Sequence, residues 1–127
     1  MTGNLGIHPP QESAVRQLLV YLERTKVVSG IERPERSLLI VHRIKKSTVR
    51  TFLTDTYILG TADLFEVLSR HPDINAIVNF SLWNLPVQVT QQECLAHEVG
   101  LFTFKEFLGA IHYSGKRFLT YEPPRRR

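Results

Sequence analysis

One cysteine, one methionine and one tryptophan stand in a chain of 127 residues, and each scarcity removes a class of protein. Cys94 has no second cysteine to pair with, so no intramolecular disulfide staples the fold, which suits a reducing compartment. No apolar stretch approaches the roughly 18 residues that a membrane helix requires. Met1 to Pro10 lacks both a basic start and an apolar stretch, so no secretory signal is expected there. The expectation is a soluble, cytoplasmic protein without a membrane partner. Glycine is too scattered to form a phosphate-cradling loop of the Walker or dinucleotide type. The histidines His8, His42, His71, His97 and His112 contain no i, i+4 pair and no cysteine at zinc spacing. No internal repeat occurs, and the one biased segment is the terminal Pro123, Pro124, Arg125, Arg126, Arg127.

What is present is the material of an ordinary globule, with 43% hydrophobic and 22% charged residues. A chain of this size builds one core. The boundaries read as a flexible N-terminal arm over 1–8, a single α/β domain over 9–116 and a basic tail over 117–127. The net charge of +4 is unevenly spread: residues 1–60 carry +4, residues 61–116 carry −3 and residues 117–127 carry +3. Such asymmetry points to an acidic partner for the basic ends, nucleic acid being the commonest.

Pro9 and Pro10 are placed to start a helix. Val15, Leu18, Leu19 and Leu22 then recur at i, i+3, i+4 and i+7, the stripe of an amphipathic helix. Val27 to Ile31 reads as a short strand ended by Gly30 and a Glu32–Glu35 turn. Leu38, Leu39, Ile40 and Val41 form the apolar run of a strand covered on both faces. Thr48 to Leu59 is rich in β-formers, so these two strands make an antiparallel hairpin about Lys45, Lys46 and Ser47. Thr61 is placed to cap the next helix, with Leu64, Phe65 and Leu68 on its core face and Pro72 after it.

The last third is the most legible. Ile74 to Ser81 reads as a strand, and Thr90-Gln91-Gln92-Glu93 matches a capping box ahead of a helix to Val99. Gly100 stands where a left-handed C-cap is wanted. Leu101 to Phe104 is a second strand, and Lys105 to His112 is a closing helix. The expected fold is a three-layer α/β sandwich with a mixed sheet, an antiparallel hairpin followed by a parallel β-α-β unit.

The run Ile77-Val78-Asn79-Phe80-Ser81, then Thr90 to Glu98, then Val99 to Leu108, resembles the C-terminal half of Mrr-type, restriction endonuclease-like domains. Those domains hold divalent metal with an Asp at the start of one hairpin strand and a Glu or Gln, x, Lys triplet on the next. In this chain Ser37 to Arg43 contains no acid, and Asp55-Thr56-Tyr57 stands where acid-x-Lys is expected. Asp55 is the one matching ligand and Tyr57 replaces the lysine. Glu32 and Glu35 reach the site only if their turn folds back. The resemblance therefore implies a nuclease-like module whose cutting site has degenerated and which needs no cofactor. It would bind DNA or RNA, or a nucleic-acid-processing partner.

The cations offered for that role are Arg43, Lys45, Lys46 and Arg50 around the hairpin turn, with Arg117, Arg125, Arg126 and Arg127 as a second cluster. Asn79, Ser81, Trp83, Asn84 and Gln88 leave the carboxyl end of a strand, where open α/β sheets place ligands. That loop offers a ligand or partner site, and Trp83 is a strong contact residue. A protein-interaction or oligomerisation module built on it is the alternative. A second alternative is an active metal-dependent nuclease that uses Asp55 and a divalent ion. Cys94 and His97, three apart on one helix, are read as a small buried thiol beside a histidine rather than a catalytic dyad.

Overall fold

The computed structural model describes residues 7–56, 60–80 and 88–122 of the chain. Its elements run α1 (Glu12–Glu23), β1 (Val28–Glu35), β2 (Leu38–Arg43), β3 (Lys46–Thr54), α2 (Thr61–Arg70), β4 (Ala76–Asn79), α3 (Gln88–Ala96), β5 (Gly100–Phe102), α4 (Phe104–Ala110) and α5 (Gly115–Leu119). The five strands lie side by side in chain order. β1, β2 and β3 form an antiparallel meander, and β3, β4 and β5 run parallel. The expected mixed sheet with an antiparallel start and a parallel finish is what forms. None of the described helices is long and apolar enough to cross a membrane.

Alternation along the strands decides which helices pack where. Leu39, Val41, Val49, Leu53, Ala76, Val78 and Phe102 face Val15, Leu18 and Leu22 of α1, Phe107 and Ala110 of α4, and Phe118 of α5. The opposite set, Phe52, Ile77 and Val99, meets Leu64 and Val67 of α2 and Cys94 of α3. Two apolar clusters thus sandwich the sheet between helices on both faces, since each pleated surface must be covered to leave water. The α1 stripe is as its periodicity predicts, with Val15, Leu18 and Leu22 fully buried. On α2 the buried positions are Leu64 and Val67, while Phe65 is 54% exposed and does not join the core.

Several boundaries differ from the sequence reading. β1 does not stop at Gly30 but continues through the polar Glu32–Glu35, pairing Glu32 with Ile40 and Glu35 with Leu38 across an irregularity. Pro34 sits within that irregularity, where a missing N–H interrupts no regular ladder bond. The β2–β3 turn is Ile44-Lys45, tighter than the expected Lys45–Ser47, and Lys45 takes φ 61° to close it. Thr90 lies inside α3 rather than ahead of it.

A capping box forms at Thr103-Phe104-Lys105-Glu106, ahead of α4. The Thr103 hydroxyl accepts the Glu106 N–H at 3.1 Å, and the Glu106 carboxylate accepts the Thr103 N–H at 2.9 Å. α2 is capped not by Thr61 but at Gly60, whose N–H donates to the Asp63 carboxylate at 2.9 Å. Gly100 opens β5 instead of closing α3, and the left-handed residue after the helix is Glu98, φ 60°. Gly100 has a packing reason: a Cβ there would collide with the ring of Phe102, which folds back over it.

Described residues at both expected domain limits contact the body of the fold. His8 donates its N–H to the Thr56 hydroxyl at 3.0 Å and accepts the Asp55 N–H at 2.8 Å, so the chain is tied to the end of β3 from residue 8. Residues 117–119, the start of the expected basic tail, belong to α5, which is anchored by Phe118 at 4% exposure with Leu119 packed beside it.

Candidate nucleic-acid interface

The hairpin turn and α5 are far apart in sequence, and a single side chain joins them. Arg43, at the end of β2, is 7% exposed. Its Nε donates to the Ser47 carbonyl at 2.8 Å. Its Nη1 donates to the carbonyls of Ile111, at 3.0 Å, and Tyr113, at 2.7 Å. The guanidinium also lies 5.6 Å from the centre of the Phe118 ring. Five donors in a planar fork suit this cluster of carbonyls. Burial lowers its pKa from the usual value. Arg43 is therefore a structural rivet, and its removal from the set of phosphate contacts is a correction to the sequence reading.

What the rivet achieves is placement. Lys45 is exposed at the turn, Lys46 is half-buried beside it, and Arg117 is exposed on α5, its guanidinium 4.8 Å from the centre of the Tyr113 ring. Tyr113 is the residue whose carbonyl Arg43 holds, so the two basic clusters meet at one end of the sheet. Lys26 is exposed and precedes Val27, whose carbonyl accepts the Ile44 N–H at 2.8 Å, so a further cation flanks the same turn. Sequence reasoning missed Lys26, Tyr113 and Tyr121; only the register of β1 on β2 and the docking of α5 bring them in. Arg50 does not join this group. It projects from the face opposite the Val49 side, four residues along β3, and lines a separate pocket of about 170 Å³ with Pro34, Ile40, His71 and Asp73. Arg125, Arg126 and Arg127 lie outside the described residues.

The opposite end of the sheet carries the other candidates. Asn79 is fully buried; its Oδ1 accepts the Thr56 N–H at 3.0 Å and its Nδ2 donates to the Thr56 carbonyl at 2.8 Å. Its amide fastens the end of β3 to β4, which corrects its assignment to a ligand loop. Ser81, Trp83 and Asn84 lie outside the described residues. Asp55 is half-buried just past β3, and neither β2 nor β3 contains an acidic residue.

Glu35 pairs with Leu38, opposite Phe52, which leaves it two strands across from β3 and three residues short of Asp55. At about 4.8 Å between strands and 3.3 Å per residue, that is roughly 14 Å, too far to share an ion. Glu32 is farther along and pairs with His42. Glu12 holds Arg33 with two bonds of 2.9 Å, and this hydrogen bonding lowers its pKa below the usual value. Among the described residues, no three His, Cys, Asp or Glu side chains converge as a metal site would need.

The chain matches no known protein family, no curated protein and no solved structure. The chemistry must be read from its own residues. Cys94 is fully buried, and desolvation, with a smaller push from Glu93, raises its thiol to about 12. His97 is exposed and stands edge-on to Phe65, 6.4 Å between ring centres. A thiol so protonated is no nucleophile at neutral pH, and the pair has no dyad geometry. The exposed Lys45 and Arg117, the latter beside the Tyr113 ring, flank the carbonyl bonds of the buried Arg43 and form a local concentration of positive charge.

Proposed function

We propose that this chain is a restriction endonuclease-like module that has lost its cutting chemistry and binds nucleic acid through the end of the sheet where Lys45, Lys46 and Arg117 meet. The observation that carries the reading is the Arg43 rivet, which joins two basic segments separated by about 70 residues in the chain. The helix, three-strand meander, helix, strand order is compatible with that fold. The acid-free β2 and β3 support the loss of cleavage. Cations gain free energy by releasing counterions from phosphate, which requires no base contact.

Fluorescence anisotropy with labelled single-stranded and duplex oligonucleotides over a salt series tests the reading. Micromolar binding that weakens with salt, and that is lost in Lys45→Glu/Lys46→Glu, supports it. No binding at low salt removes it. Cleavage of either substrate with divalent metal, abolished by Asp55→Ala, would replace it with the active-nuclease alternative.

A second reading, a protein-interaction module, is favoured by Phe65 at 54% and Leu95 at 39% exposure on the packed pair α2 and α3. There Phe65→Asp/Leu95→Asp would abolish self-association or partner capture while the lysine reversals change nothing.

A further inference from the structure

Next to the basic turn is a shallow, open pocket of about 250 Å³ lined by Tyr113, Arg117, Thr120, Tyr121 and Glu122. Its volume lies just under the roughly 300–1,000 Å³ of cavities that take drug-sized ligands, which suits a single ring system. The floor is built in layers. Tyr121 sits over Gly109, where any Cβ would collide with its phenol ring. Tyr113 stacks on Tyr121 with ring centres 5.6 Å apart and planes inclined by 28°. Arg117 lies over Tyr113, and among the described residues it forms no ion pair. Both rings are half-buried and Arg117 is exposed. A guanidinium seated over an aromatic ring, as Arg117 is at 4.8 Å from the Tyr113 ring centre, retains N–H donors for phosphate.

We propose that Arg117, backed by the Tyr113–Tyr121 stack, is a base-stacking subsite for single-stranded nucleic acid, taking one unpaired base against the outer face of its guanidinium while the adjoining phosphates lie on its N–H edge, Lys45 and Lys46. This rests on the nucleic-acid reading of the same end of the molecule and adds to it the class of substrate. A duplex keeps its bases stacked on one another and presents only phosphate, so it uses the cations without the rings. A single strand uses both, because every base has a face to stack. Glu122 at the rim repels phosphate, so the strand enters from the Arg117 and Lys45 side.

The test uses the full chain with a labelled oligothymidylate of about twelve nucleotides, within the span of known single-strand sites, its duplex, and thymidine monophosphate as competitor. The single strand should bind more tightly than the duplex. Tyr113→Leu removes the ring that backs the Arg117 guanidinium and should weaken single-strand binding by about 5-fold or more, the lower end of the range for loss of one stacked base, and leave duplex binding unchanged. Tyr113→Phe should retain the affinity. Arg117→Lys keeps the charge and loses the planar face, so it should weaken the single strand with the salt slope preserved. Because Arg117 is exposed, that variant decides the matter if Tyr113→Leu does not fold.

Preference for duplex, undiminished single-strand binding in Arg117→Lys, or competition by the mononucleotide at the oligonucleotide's own concentration would each overturn the subsite. Loss of binding in Lys45→Glu/Lys46→Glu with none in Tyr113→Leu and Arg117→Lys removes the subsite and leaves the nucleic-acid reading standing. Absence of binding to both forms at low salt removes both.

Discussion

Arg43 shows how a residue's role turns on where its donors go. In sequence it is one cation of a basic run, and nothing local distinguishes it from Lys45. In the fold its fork serves the carbonyls of Ser47, Ile111 and Tyr113, the bond to Ile111 buried and the other two partly so. Arg43→Lys keeps the charge but cannot span three acceptors, so a loss of about 2–4 kcal/mol is expected in urea unfolding. Lys45→Ala, at an exposed turn, should stay within about 0.5 kcal/mol.

Cys94 gives a second test at this scale. Its thiol is raised to about 12 in the folded chain against an ordinary value of 9.0. The folded state therefore holds the proton more tightly than the unfolded one, and the associated stability is intact below pH 9 and declines as pH rises from there toward 12. A thiol reagent at pH 8 should label Cys94 very slowly in the native chain and rapidly once denaturant opens it. Rapid native labelling would show that the α3 packing is looser than drawn. This thiol was legible in the sequence as a buried one, because Cys94 falls on the apolar stripe of its helix.

Elements were legible where local signals agreed with tertiary demand and misread where they competed. The apolar period of α1 and the run Leu38–Val41 were legible because Val15, Leu18, Leu22, Leu39 and Val41 are fully buried, with Leu38 and Ile40 half-buried on the other face. β1 is the instructive failure. Glu32, Arg33, Pro34 and Glu35 have the composition of a turn, yet they extend β1 because the edge of β2 supplies a partner and Glu12 of α1 holds Arg33 in place. Local propensity is a weak prior against such pairing.

Two Thr-x-x-Glu sequences raise the same point. Thr90–Glu93 and Thr103–Glu106 are equally good capping boxes on paper, and position in the fold selects the second. Thr103→Ala should therefore cost about 1 kcal/mol of stability, measured as a shift of the urea midpoint at constant slope.

The whole molecule is electrically two-ended, and that arrangement was visible from charge counts alone; what they could not supply was distance. The pairing of Val28 with Arg43 and the docking of Phe118 convert three separate basic segments into one end of the sheet, and no property of the segments themselves encodes that meeting. α2, with Asp63 and Glu66 against Arg70, and α3, with Glu93, are net acidic and pack on the face of the sheet opposite α5. The number of cations engaged sets how steeply affinity falls with salt. Lys45, Lys46 and Arg117 alone predict a slope of log K against log salt near −2 for a single strand, taking about 0.7 per phosphate neutralised. Engagement of Arg125, Arg126 and Arg127 as well would double it to about −4. Replacing those three arginines by serine should then return the slope to about −2 while the single-strand preference, a property of the Tyr113 stack, stays unchanged. If the slope does not move, the terminal arginines take no part, and the hairpin turn with α5 constitutes the whole electrostatic footprint.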